Sequence, residues 1–331
     1  MSQLVRRYCC GEEHIGWRQS EIPDYMHTDW DRMVIFNLHE NPRGRGIGVR
    51  NDFYSETAGR AVDSLFARDV DPPSDLLHVS CTGYASPSPI QRLISRKEWN
   101  DRTRATQVYH MGCYAALPAL RVAAGLLSHC GNMCPRAEIV HTELCTLHFN
   151  PGDHSPEQLV VQTLFADGHI RYSLAPGEDW ESGAFEILAI REEIVPDSLD
   201  DMTWVLSDWG FQMTLSRDVP GKIAARLSRF LSMLFACSGM TYSLGAGDSI
   251  FAVHPGGPRI LDSVQEVLGL EARQLRLSRT VLYERGNMSS ATLPHIWMAA
   301  ASDRDVKPGA LVVSLAFGPG LTIAGALFRK C

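Results

Sequence analysis

A chain of 331 residues, 45% hydrophobic and 21% charged, has enough apolar material for a large core and fits neither a disordered nor a fibrous class. Its formal charge of -7, from 31 Lys and Arg against 38 Asp and Glu, offers no concentrated basic surface and argues against a nucleic-acid partner. The N-terminal "MSQLVRRYCCGEEHIGW" lacks the apolar stretch of a signal peptide, and no long uninterrupted apolar window follows, so the expectation is a cytoplasmic protein with no membrane partner.

In chain order, "LLHVSC" (76–81) is the first strand-like run, rich in apolar residues and bounded by Asp and Gly. "RLISRKEWNDRTR" (92–104) reads as a charged helix surface, with a docking patch for an acidic carrier protein as the alternative. "ALPALRVAAGLLSHC" carries apolar residues at helical spacing, and "AEIVHTELC" (137–145) and "AFEILAI" (184–190) read as strands. The Pro- and Asp-bearing "EEIVPDSLDDMTW" (192–204) reads as a surface connection and divides the chain into halves 1–195 and 196–331. Beyond it come a helix in "GKIAARLSRFLSMLFACSG", a strand in "SIFAVHP" (249–255), helices in "PRILDSVQEVLGL" and "SSATLPHIWMAAAS", and a strand in "ALVVSLAFG" (310–318). Alternation of the two kinds of element makes this an α/β protein.

Nine cysteines scattered over a long chain do not look like a disulfide framework. "CGNMC" (130–134) lacks a second pair or a His cluster, so no metal site is expected. Three segments instead invite chemistry, because each reads as a strand end and turn leading into a helix N-terminus: "MGCYAALP", "AVHPGGPRILD" and "RGNMSSATLP". A helix start lowers a thiol pKa, which makes Cys113 a candidate nucleophile, although free Cys is also among the most buried residue types. His254 is either a satisfied turn histidine or a catalytic imidazole, and Asn287 either an N-cap or its partner. Cys, His and Asn in this order, 141 and 33 residues apart, match the order in papain-like cysteine proteases. Those proteases need C-G-[SA]-C-[WY], whereas this chain has G-C-Y-A-A-L.

Six motifs in order, "GCYAALPALRVA", "LFADG", "LSRDVPG", "HPGGPRILD", "YERGNMSSA" and "FGPGLTIAGALF", resemble the chalcone and stilbene synthase family, the type III polyketide synthases. The similarity runs over nearly the whole chain. It implies a thiolase-like five-layer α-β-α-β-α fold of two similar halves. Cys113 falls on the family's acyl-carrying nucleophile. His254 and Asn287 fall on the pair that stabilises the enolate and oxyanion, a role that suits preorganised donors. Phe165 falls on a gatekeeper ring, Ser289 on a cavity wall, and Phe317 and Gly318 on the loop flanking the active centre. Arg6 and Arg7 fall on a basic segment that meets coenzyme A phosphates, to which arginine's planar fork is suited; a solvated terminal pair is the alternative.

The resemblance implies no permanently bound cofactor, acyl and malonyl thioesters of coenzyme A or a carrier protein as substrates, and a homodimer. Met213 falls on the second gatekeeper position, aromatic in plant enzymes, and its flexible chain suits an alkyl starter. Trp204 falls where plant enzymes keep a small residue, which implies a reshaped or shortened pocket. "SCTGYASPSPIQRLI" and "HMGCYAALPALR" are more similar to bacterial alkylpyrone and alkylresorcinol synthases than to plant enzymes. Stand-alone ketosynthases that fuse two β-keto chains into an α-pyrone form one alternative, and a catalytically silent acyl-binding dimer partner another. A cysteine hydrolase is a third. Relatives begin with more residues, carrying a first strand that is not evident here, so the expectation is a sheet with unpaired groups where that strand would lie.

Overall fold

Residues 9–68, 71–129, 135–177, 184–243 and 247–331 are described by the computed structural model. Strands β1 (Asp75–Ser80) and β3 (Ala137–Leu144) are buried at every position, their polar residues included. They pair in parallel with each other, β1 pairs in parallel with β2 (Arg104–Tyr109), and β3 is antiparallel to β4 (Asp167–Leu174). The first sheet therefore has the order β2-β1-β3-β4. The second contains β5 (Phe185–Ile194), β8 (Ile250–Val253), β9 (Leu311–Gly318) and β10 (Thr322–Lys330) in the order β5-β10-β9-β8. There β8 and β9 are parallel and β10 is antiparallel to both β9 and β5. The run β1-β3-β4 thus repeats as β8-β9-β10, and the two halves are similar in topology.

Helices complete the layers. α1 (Ile47–Leu65) and α2 (Pro89–Arg96) pack on one face of the first sheet. α3 (Ala116–Leu127) touches β1, β3 and β10, and α8 (Thr292–Ser302) touches β4 and β8, so both lie between the sheets. Ala116, Ala119 and Ala123 of α3 are fully buried, and their small side chains let the helix fit between two sheets. α5 (Val219–Ala236) covers β5 and β10, and α7 (Ala272–Arg285) covers β8. The expected α-β-α-β-α order is present. α4 (Pro156–Leu164), α6 (Pro258–Leu268) and a hairpin of β6 (Met202–Leu206) and β7 (Phe211–Leu215) flank it.

Three expectations change. β5 sits in the second sheet because its partner is β10, so the halves divide before Phe185 rather than after residue 195. In the first sheet β1 and β3 pair directly, and among the described residues no strand pairs with the outer side of β4. The helix read over 92–104 ends at Arg96, whose guanidinium pairs with Asp63, while Arg104 opens β2 paired with Asp75. Asn287 is preceded by helix α7 rather than by a strand. Arg6, Arg7 and the pair Cys130 and Cys134 lie outside the described residues.

Candidate active site

Cys113 stands three residues before the first turn of α3, at the end of a strained connection. Two left-handed residues lie in it, His110 at φ 61° and Gly112 at φ 81°. His110 carries a side chain there at a cost, and its Nε2 donates to the Trp204 carbonyl over 2.9 Å. Gly112 is required twice over, because a Cβ would also meet Pro319 Cδ at 2.4 Å. The Gly112 N–H donates to Cys81 Sγ over 3.0 Å.

The Cys113 thiol is buried, and its hydrogen-bond contact is to Ser289 Oγ at 4.0 Å. Burial pushes its pKa up to about 12, against smaller lowering effects from the Ser289 and Asn287 side chains. Desolvation is the largest of these effects and favours the neutral thiol.

Asn287 joins the two halves. Its N–H donates to the Leu164 carbonyl over 3.0 Å and its carbonyl accepts from Ala166 N over 2.8 Å, an isolated bridge that straddles Phe165. Its side-chain Oδ1 accepts from Ser289 N over 2.9 Å, while Nδ2 is buried without a partner. Ser289 is itself left-handed at φ 49°.

His254 follows β8 and is anchored by its N–H to the Leu315 carbonyl at 2.8 Å. Both ring nitrogens are buried and unpartnered, and burial lowers the pKa to about 3, so the ring is neutral. It makes no hydrogen bond to Cys113. The geometry thus brings Cys113, Asn287 and Ser289 together, and places His254 as a buried imidazole with both nitrogens free.

Cys113 faces a cavity of about 30 Å³ whose walls include Phe165, Met213, Trp204 and Ser289. Trp204 is held across it by donation from Nε1 to the Cys81 carbonyl at 2.7 Å. Phe165 also borders an outer cavity of about 310 Å³ lined by Trp17, Arg18 and Tyr25 among others, so one ring separates two spaces. Phe317 is buried in the core and Gly318 lies against the Tyr114 ring; from that loop it is Pro319 that reaches the inner cavity.

Several residues of the site were not singled out from the sequence. His148 lines the cavity, and its Nδ1 accepts from Phe211 N over 3.1 Å while Nε2 contacts the Thr82 carbonyl at 2.8 Å. A backbone N–H can only donate, so the proton resides on Nε2 and the ring is a fixed neutral tautomer. Glu143 is fully buried and accepts from Cys81 N over 3.0 Å, Thr82 Oγ1 over 2.9 Å, and the Ser290 hydroxyl and N–H. Polar residues inside "AEIVHTELC" and just past it were the available signal. Among the described residues no group of His, Cys, Asp and Glu is arranged to hold a metal, and no helix is long and apolar enough to cross a membrane.

Residues 186–331 match the family model described as chalcone and stilbene synthases, C-terminal domain. The chain is 31% identical over 271 residues to type III polyketide synthase C of Arabidopsis thaliana, covering 80% of this chain and 69% of that protein. It is 32% identical over 296 residues to bisdemethoxycurcumin synthase of Oryza sativa subsp. japonica, covering 86% and 73%. The chain belongs to the type III polyketide synthase family. Solved structures agree on the fold of this polyketide synthase relative. The C-terminal type III polyketide synthase domain of Steely1 from Dictyostelium aligns with TM-score 0.84 at 24% identity, covering 99% of this chain and 88% of that one. Tetrahydroxynaphthalene synthase from Streptomyces coelicolor A3(2), a bacterial type III enzyme, aligns with TM-score 0.78 at 25% identity, covering 90% and 85%. Members of the family form carbon-carbon bonds, and the fold is thiolase-like.

Proposed function

We propose that this polyketide synthase takes an acyl group onto Cys113, condenses it with a malonyl thioester, and closes the product to an alkylpyrone or a resorcinol-type ring. The observation that carries the reading is the buried Cys113 thiol beside an Asn287 amide whose Nδ2 has no partner. An unsatisfied buried donor costs on the order of 1–3 kcal/mol, and a developing oxyanion or enolate at that place recovers it. His254, neutral and with both nitrogens free, is the second donor in this reading.

The order of events is acyl transfer to Sγ, loss of carbon dioxide from the malonyl unit with the enolate held by His254 and Asn287, and Claisen attack on the acyl-cysteine. Phe165 and Met213 act as gatekeepers, and Met213 favours an alkyl starter. Trp204 limits the length of the product. The acyl and malonyl groups arrive as thioesters of coenzyme A or an acyl carrier protein, with Arg6 and Arg7 serving phosphate contacts. The working form is a cytoplasmic homodimer with no permanently bound cofactor.

Incubation with a panel of acyl and malonyl thioesters, followed by mass analysis, tests the reading. Pyrone or resorcinol products, absent with Cys113→Ala, are expected. Normal product formation by that variant, or release of free acid alone, overturns it.

A further inference from the structure

The backbone on which the Phe165 ring turns is tied on every side. Phe165 closes helix α4, and its N–H donates to the Val161 carbonyl over 3.1 Å. The parallel bridge to Asn287 uses the groups on either side of Phe165, the Leu164 carbonyl and the Ala166 N–H, and leaves the Phe165 carbonyl facing away from Asn287. Arg18 takes that carbonyl. Its Nη1 donates to Phe165 O over 2.7 Å and to the Gln162 carbonyl over 2.8 Å. The last turn of a helix presents carbonyls that lack intrahelical partners, and a cation is favoured there.

Arg18 is placed by the short segment around it. The Gly16 N–H donates to the Tyr283 carbonyl of α7 over 2.8 Å, and the Gln19 carbonyl accepts from Asp167 N over 2.9 Å. Between these anchors the Arg18 stem lies across Gly286, where an added Cβ would meet its Cγ at 2.9 Å. One side chain thus touches both the turn that carries Asn287 and the carbonyl of Phe165. It does so from the outer cavity, which it lines together with the Phe165 ring.

We propose that Arg18 is a positioning residue that sets the width of the passage at Phe165 and so restricts Cys113 to slender, unbranched acyl groups. The inference rests on the gatekeeper reading of Phe165 given above. With its N–H, its carbonyl and both neighbours bonded, the Phe165 backbone stays in place, and the ring clears the passage by side-chain rotation alone. Among these bonds the one from Arg18 is made by a side chain. Its loss frees the carbonyl and lets the backbone shift with the ring, which admits a wider group.

Arg18→Met keeps the stem across Gly286 and removes the donor. Arg18 is exposed, so the change leaves no buried charge without its partner. In Arg18→Lys, one ammonium can replace the one nitrogen that makes both bonds. Acylation of the intact chain is followed by mass, with octanoyl and benzoyl thioesters of coenzyme A. The benzoyl-to-octanoyl ratio of second-order rate constants is expected to rise by about tenfold or more in Arg18→Met and to stay near wild type in Arg18→Lys. A merely structural role would slow both thioesters and leave the ratio alone. Phe165→Ala should raise the same ratio, and adding Arg18→Met to it should change little, because the two act through one gate. A ratio that rises in Phe165→Ala and not in Arg18→Met overturns the role of Arg18 alone. So does an Arg18→Met effect of equal size with and without the Phe165 ring. A ratio unmoved by Phe165→Ala overturns the gatekeeper reading and this inference with it. A wild-type chain that neither thioester acylates overturns the loading of Cys113 itself, on which both depend.

Discussion

The Ser289 N–H donates to Asn287 Oδ1 over 2.9 Å, and that bond decides which end of the Asn287 amide is left free. With the oxygen occupied, the NH₂ group is the end available to a ligand beside Cys113. Asn287→Asp places a second acceptor there, and Asn287→Ala places none. Both are expected to slow condensation by about 100-fold or more, since removing one preorganised donor costs this much. Rapid-quench measurement of product from preloaded enzyme checks it, and loading of Cys113 should fall far less.

Gly112→Ala should damage the site without touching a reacting group. The left-handed φ of 81° and the contact of a new Cβ with Pro319 at 2.4 Å both oppose it. A loss of about 1–3 kcal/mol in denaturant unfolding is expected, together with slower acylation of Cys113. Unfolding and loading curves that superimpose on wild type would show that the turn tolerates the change.

Trp204→Ala removes the ring that crosses the inner cavity and the bond from its Nε1 to the Cys81 carbonyl. Product mass distributions should move to longer chains or additional extensions. The ring also packs on Phe211 at 5.5 Å, so roughly 2 kcal/mol of stability should go with it. An unchanged product distribution would mean that another wall sets the length.

Acid should unfold this protein readily. Burial holds His78, His141, His148 and His254 neutral, with pKa values lowered to about 3. In the unfolded chain each takes up a proton near the ordinary histidine value of about 6.5, so below that pH the unfolded state binds more protons. Stability is therefore complete above about pH 6.5 and lost progressively as pH falls toward 3. Asp167 acts the other way, because burial raises its pKa to about 6 and the folded state binds the extra proton between about 4 and 6. Burial also raises the Glu143 pKa and lowers that of His295 to about 4, so five histidines stand against two carboxyls and outweigh them. Melting temperature measured from pH 8 down to 4 should fall throughout, and less steeply in His78→Gln.

The strands that sequence reading found, β1, β3, β5, β8 and β9, are those whose apolar runs stand out from flanking turns. β6 and β7 were missed because much of each is exposed, so no apolar run announces it. β4, "DGHIRYSL", has charged and aromatic residues on a partly exposed edge and reads as neither alternation nor run. Cys113 and Asn287 were legible because motif order ties them together over long separations, and the structure sets them side by side. His148 and Glu143 were not, since a polar residue in a strand gains its meaning only when strand ends converge. The thiol's setting is half legible for a related reason: a helix start is visible in a sequence, and the extent of desolvation is not.

The narrow space at Cys113 has a consequence for selection among substrates. Its 30 Å³ holds about two water molecules, far less than any acyl chain. The resting site is thus no mould of its product. On the gatekeeper roles proposed for Phe165 and Met213, which line this space, an incoming chain makes its room by turning those two side chains aside, and their yielding sets what enters and how fast. Preference among starters should accordingly be read in entry rates more than in equilibrium affinities.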